Sequence, residues 1–304
     1  MFFKKPLQNI TLQYILLFLL TGLSLWHFLS VPDAGVWTGV CLLVYLGSAV
    51  LLLMTVWHHK LAELRKYYPA ILMLLLPQTV LASTGWQDLF VLFLLCAFYY
   101  SFLFSIYTKA YEPNSGISFV LLCGLLGYLY APFVLLLLFI YALLISRRLV
   151  SVRTLLMPVV GLLIFVLYVC SFYYLFDYPL DDLVGRTQLQ LKSMVFSPLN
   201  FPLIPLISCA VSLLLYIVVA YRMIRYLYKK NILLRKKCVI LLFLSLYFWV
   251  LALFAPDSNH MPLLAFWSVL VMMLCEEEGF MKNRLFYNLM FFVLWVLGVV
   301  SCLL

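Results

Sequence analysis

The sequence predicts an all-α, polytopic transmembrane bundle of about ten or eleven spans, with its N-terminus in and its C-terminus out. Three observations lead there. Two thirds of the 304 residues are apolar and 10% are charged, too few polar groups to wet the surface of a soluble domain. Apolar runs of roughly 15 to 22 residues recur along nearly the whole chain, close to the length that crosses hydrocarbon as helix. Finally, 18 of the 20 lysines and arginines fall in alternate gaps between those runs, the bias that marks cytoplasmic loops.

The runs lack the period-2 alternation of barrel strands, and in lipid only helices and closed barrels pair every backbone group, so the spans are read as helices. They are expected at 12–31, 36–57, 69–83, 88–108, 116–131, 132–146, 154–177, 203–221, 238–254, 261–275 and 285–304. The first follows Lys4 and Lys5 like a signal peptide, but it is too long, and Pro32-Asp33-Ala34 is a poor cleavage site. It reads as an uncleaved span. The second returns to Lys60, Arg65 and Lys66. Run 69–83 is short and carries Pro77-Gln78, which predicts a kink. Run 88–108 ends at Lys109. Runs 116–131 and 132–146 would each be roughly 22 to 24 Å long as helices, short of roughly 30 Å of hydrocarbon. They either cross a thinned region or form a re-entrant hairpin turning at Gly127-Tyr128-Leu129-Tyr130-Ala131-Pro132. Both choices leave the parity unchanged. Arg147, Arg148 and Arg153 precede span 154–177, and Lys282 and Arg284 precede the last. No repeat and no soluble insert interrupts the chain, so residues 1–304 read as a single membrane domain.

Several function classes fall away. The formal charge of +9 is placed by topology, so no nucleic-acid partner is expected. Eight dispersed cysteines without a CxxC pair read as apolar packing residues, and neither a metal nor a cofactor is expected. The span centres contain no Asp, Glu, Lys or Arg, which disfavours ion-coupled transport.

Chemistry is confined to the loops. The outer loop 178–202 sets Leu180, Leu183, Val184, Leu191, Met194 and Val195 at helical spacing against Asp181, Asp182, Arg186, Gln188, Gln190 and Lys192, the pattern of an interfacial amphipathic helix. Asp182 and Arg186 can pair at i,i+4. Alternatively, Arg186 and Lys192, the only cations on that face, hold a phosphate at headgroup level, for which the planar guanidinium is suited. His260 lies in the turn 255–262 beside Asp257, which could orient its imidazole for proton transfer. Arg186, His260, Asp257 and Asp33 are therefore the catalytic candidates for transfer onto or off a lipid-linked substrate. On the inner face the basic loop 222–237 holds Arg222, Arg225, Lys229, Lys230, Arg235, Lys236 and Lys237 with no acid, a strip that attracts anionic lipid headgroups. Glu276, Glu277 and Glu278 end a span whose helix dipole disfavours negative charge, so a basic neighbour or a cytoplasmic partner should neutralise them.

Four segments carry a family resemblance: Leu61–Pro77, Gly124–Pro132, Arg147–Pro158 and Pro262–Arg284. In these the chain resembles an uncharacterised family, a domain of unknown function, of polytopic bacterial inner-membrane proteins, some of whose members carry an automatic label of carotene oxygenase. The resemblance implies a multi-pass protein of the bacterial inner (cytoplasmic) membrane. The oxygenase label does not fit this chain. Such enzymes hold iron with convergent histidines, whereas His27 and His260 fall outside and His58 and His59 inside; metal ligands must approach to about 2 Å, across a barrier of roughly 30 Å. The plan of many helices with polar residues at the outer face also looks like membrane glycosyltransferases that use polyprenyl-phosphate sugars, but the long acidic first outer loop of those enzymes is here only Pro32–Gly35.

The functional expectation is an accessory or structural component of cell-envelope assembly, with membrane lipids and an envelope protein as partners. The alternative is a lipid-linked glycan or phospholipid-handling transferase acting at the outer face, with an anionic phospholipid or polyprenyl-phosphate bound there. A transporter is third.

Overall fold

The computed structural model describes residues 36–59, 61, 68–75, 86–107, 113–138, 141, 152–192, 203–229, 231–254 and 261–276, with isolated positions within 15–22 and at 293 and 296. Among the described residues the chain is all-helical, with no strand. In order it runs through α1 (Val36–His58), α2 (Tyr68–Leu75), α3 (Trp86–Tyr107), α4 (Pro113–Leu129), a 3-10 turn (Ala131–Leu135), α5 (Val152–Leu175), α6 (Leu180–Lys192), α7 (Leu203–Tyr226), a second 3-10 turn (Leu227–Lys229), α8 (Ile232–Leu253) and α9 (Met261–Glu276). Three helices are long and apolar enough to cross a membrane, over Gly39–His58, Pro158–Leu175 and Leu234–Leu253. Shorter apolar helices cover Asp88–Leu103, Val120–Leu129 and Met261–Cys275. Apart from those isolated positions the expected spans 12–31 and 285–304 lie outside the described residues, as do the kink at Pro77 and most of 139–146.

The core is organised by α9. Every residue from Met261 to Leu274 is buried, because a helix that is apolar around its whole circumference has no face to offer water. It packs against α1, α2, α3, α7 and α8. Aromatic side chains fill the layer between: Phe98 stacks on Phe102 with centroids 5.3 Å apart, Phe133 meets Phe248 edge-on at 5.6 Å, and Tyr216 meets Phe266 at 5.7 Å. At the periphery α5 touches α4 and α6 and leaves Leu156, Leu163, Leu167, Phe172 and Leu175 exposed.

Two boundaries differ from the sequence reading. Helix α7 runs to Tyr226 instead of ending at 221, and α8 begins at Ile232 instead of 238, so the basic loop 222–237 is mostly helix. Hydropathy marks where the hydrocarbon ends; backbone hydrogen bonding continues past it, because Arg and Lys stems reach along the helix while their charges stay near polar surroundings.

The α4–α5 contact depends on missing side chains. A β-carbon at Gly124 would stand 2.6 Å from the Phe165 ring, and one at Gly161 would stand 2.9 Å from Val120, so each helix is approached closely at a glycine of the other. Gly185 on α6 has nothing within 4 Å. Replacing helical glycine by alanine ordinarily stabilises by about 1 kcal/mol, whereas overpacking costs about 1–3 kcal/mol. Gly124→Ala should therefore lower the melting temperature of the detergent-solubilised protein and Gly185→Ala should raise or preserve it; the same sign for both would contradict this packing.

Candidate functional site

Polar side chains converge at two places. The first surrounds the break between α4 and the 3-10 turn. Helix α4 stops at Leu129, Tyr130 turns extended (φ −143°, ψ 100°), and Pro132, which has no N–H to give a preceding carbonyl, opens the 3-10 turn. The reversal is tight: a β-carbon on Gly127 would collide with Val134. A break of this kind strands backbone groups that lipid cannot satisfy. Gln190 on α6 serves both sides of it. The Ala131 amide donates to Gln190 Oε1 at 3.0 Å, and Gln190 Nε2 donates to the Leu129 carbonyl at 3.3 Å. From α8, the Tyr247 hydroxyl donates to the Pro132 carbonyl at 2.8 Å. The buried Tyr130 hydroxyl has no partner among the described residues.

Beside this break the Tyr128 and Tyr173 hydroxyls, from α4 and α5, meet at 3.2 Å. Asp182 and Arg186 on α6 lie near enough to act on Tyr173 electrostatically, and both are exposed. Arg186 is thus within electrostatic reach of Tyr173, one hydroxyl of the pair, and guanidinium and hydroxyl donors are the groups that grip a phosphate or a sugar. The other catalytic candidates, Asp33, Asp257 and His260, lie outside the described residues, as do Glu277 and Glu278.

The second place is where the C-terminal end of α1 meets α3 and the first turns of α8. Of the seven basic residues in 222–237, Arg225 and Lys236 are exposed and Arg222 is half-buried; the Lys229 side chain and Lys230 lie outside the described set. Two others do structural work. Arg235 donates from Nε to the Leu227 carbonyl at 3.1 Å and from Nη2 to the Tyr228 carbonyl at 3.4 Å, capping the end of the preceding turn. Lys237 departs from the expected headgroup strip: it is fully buried, and its ammonium donates to the His59 carbonyl at 3.3 Å. The reason is helical phase. Leu241, Leu244, Phe248 and Leu251 are the buried stripe of α8, and stepping back four residues from Leu241 lands on Lys237. That stripe was the signal in the sequence that could have found it.

His59 is buried alongside. Its Nε2 lies 3.0 Å from the Tyr100 carbonyl; a carbonyl only accepts, so Nε2 carries the proton. Loss of solvent, and then the neighbouring Lys237 ammonium, lower the imidazole pKa from 6.5 to about 4, although the Tyr100 bond opposes the shift. The three groups clip α1, α3 and α8 together with a neutral histidine. Among the described residues no three His, Cys, Asp or Glu side chains gather to hold a metal, and the described cysteines are free thiols. No protein-family model, curated protein or solved structure matches the chain.

Two outcomes follow. Gln190→Leu, which leaves the Leu129 carbonyl and Ala131 amide without this partner, should cost about 1–3 kcal/mol, read as a lower melting temperature; Gln188→Leu, one helix face away, should not. For His59, the unfolded chain binds a proton near pH 6.5 while the folded imidazole stays neutral until about 4. Stability should therefore fall as pH drops from 6.5 towards 4 and be flat above 6.5, at about 1.4 kcal/mol per pKa unit at most. Thermal melting across that range, with His59→Gln flattening the slope, checks it.

Proposed function

We propose that the chain is a multi-pass protein of the bacterial inner membrane, N-terminus in and C-terminus out, that serves as an accessory or structural component of a cell-envelope assembly. The observation that carries this reading is where the polar side chains of the helical body go. Tyr45 donates to the Leu74 carbonyl at 3.0 Å, Ser268 to Ala265 at 2.7 Å, Tyr216 to Leu242 at 3.3 Å and Tyr247 to Pro132 at 2.8 Å. Each is spent on the fold's own backbone. The alternation of 18 of 20 basic residues across the gaps supports the orientation.

One arrangement favours a second reading. Arg186 lies within electrostatic reach of Tyr173, which is bonded to Tyr128, and a guanidinium with hydroxyls could hold the phosphate of a lipid-linked glycan or phospholipid for transfer at the outer face. His260, Asp257 and Asp33 would supply its acid–base chemistry.

Native mass spectrometry of the gently solubilised protein separates the two. A stoichiometric protein partner kept equally by wild type, Arg186→Ala and His260→Ala is the expected result. A retained polyprenyl-phosphate or lipid-linked sugar that is lost in Arg186→Ala would replace the accessory reading with the transferase.

A further inference from the structure

The turn between α7 and α8 joins two exposed faces. On α7, Tyr221, Ile224 and Arg225 are exposed at i, i+3 and i+4, and so share one side of the helix, and Tyr228 in the 3-10 turn that follows is exposed as well. On α8, Ile232, Lys236 and Phe243 are exposed at matching intervals. Arg235 sits where the faces meet. Its guanidinium carbon lies 5.8 Å from the centre of the Tyr228 ring, and the carbonyls of Leu227 and Tyr228 hold Nε and Nη2. The fork is therefore fixed before any ligand arrives, and its Nη1 has no partner among the described residues. No acid occurs between 222 and 237 to cancel the charge locally.

We propose that this turn binds the phosphodiester headgroup of an anionic phospholipid. Arg235 is the positioned donor: the two carbonyls hold its guanidinium plane, and Nη1 with the second Nη2 hydrogen is the edge left for phosphate oxygens. Arg225 and Lys236 flank it as mobile cations. Tyr228 and Ile232 lie beside them as the apolar contacts a lipid offers and a dissolved phosphate does not; aromatic rings with adjacent cations suit the boundary between headgroups and acyl chains. An acidic peptide would satisfy the cations but leave Tyr221, Ile224, Ile232 and Phe243 exposed. The inference rests on the chain spanning a bilayer, as proposed above, but not on which side of it the turn faces.

The test uses the full chain in nanodiscs of equal phosphatidylglycerol and phosphatidylcholine, followed by release and native mass spectrometry to count the lipids that stay bound. Wild type should retain phosphatidylglycerol in preference. Arg225→Gln with Lys236→Gln should lower that retention about 25-fold, at about fivefold for each charge, the factor matching about 1 kcal/mol per basic residue near an anionic surface. Both positions are exposed, so the fold should survive. Arg235→Lys, which keeps the charge but not the fork, should also lower it. Arg147→Gln with Arg148→Gln removes the same charge elsewhere and should leave it unchanged. No preference in wild type, an unchanged preference in the double variant, or an equal fall in both pairs would each overturn the proposal, the last by reducing it to bulk charge. Inorganic phosphate at millimolar concentration should not displace the lipid; displacement would mean a phosphate site without a lipid contribution, and would also overturn it. An alkaline phosphatase fusion after Lys230 scores topology separately: activity there would refute the cytoplasmic placement while leaving the lipid preference standing.

Discussion

Residues Met261–Leu274 are apolar around the entire helix and buried along their whole length, and a helix of that kind must be enclosed by other chain. At about 1.5 Å per residue it measures roughly 20 Å over those positions, less than the hydrocarbon thickness, so it depends on neighbours at its ends as well as its sides. Helices α1, α2, α3, α7 and α8 supply them. The one hydroxyl in that stretch, on Ser268, turns back on the Ala265 carbonyl and towards the Tyr99 hydroxyl, so α9 spends it within the fold. The contrast with α5 follows from distance to this centre. Among the described residues, α5 meets protein on one side, through Gly161 and its neighbours, while Leu163, Leu167 and Leu175 on it are exposed.

The same accounting governs both ends of the described structure. Where α4 breaks, the freed carbonyls and amide are taken up by Gln190 and Tyr247 from distant parts of the chain. At the other end His59 and Lys237 join three helices through the carbonyls of Tyr100 and His59. These bonds are conditional on burial: with no water to compete, a broken helix or a buried cation is tolerated only when a side chain meets it. They also couple elements far apart in sequence, since α6 cannot leave the break without exposing the Leu129 carbonyl.

This division bears on function. Cations that look equivalent along 222–237 separate into Lys237 inside the fold, Arg235 locked onto the preceding turn, and Arg225 and Lys236 facing outward. Arg186 separates from Lys192 in the same way, because the helix that carries it is docked through Gln190, placing Arg186 within electrostatic reach of Tyr173 and leaving Lys192 at the helix end.

Composition and the length of the apolar runs were enough to read an all-helical chain with helices able to cross a membrane, because lipid imposes one demand, continuous apolar length, that is written residue by residue. The helices near 36–58, 86–107, 152–175 and 261–276 could be read to within a few residues for that reason. Their ends could not where charges begin, as with α7 and α8, since hydropathy reports the solvent and not the hydrogen bonding. The amphipathic pattern of 180–192 was equally legible, but its polar face did not reveal that Gln190 would be committed to backbone while Arg186 stayed exposed. Pairings such as Gln190 with Leu129, or Lys237 with His59, span 61 and 178 residues, and no local pattern encodes a partner at that separation. Only the packing of the helices around α9 brings those groups within reach of each other, and so only the tertiary structure sorts the polar residues that hold the fold from the ones left free to meet a ligand.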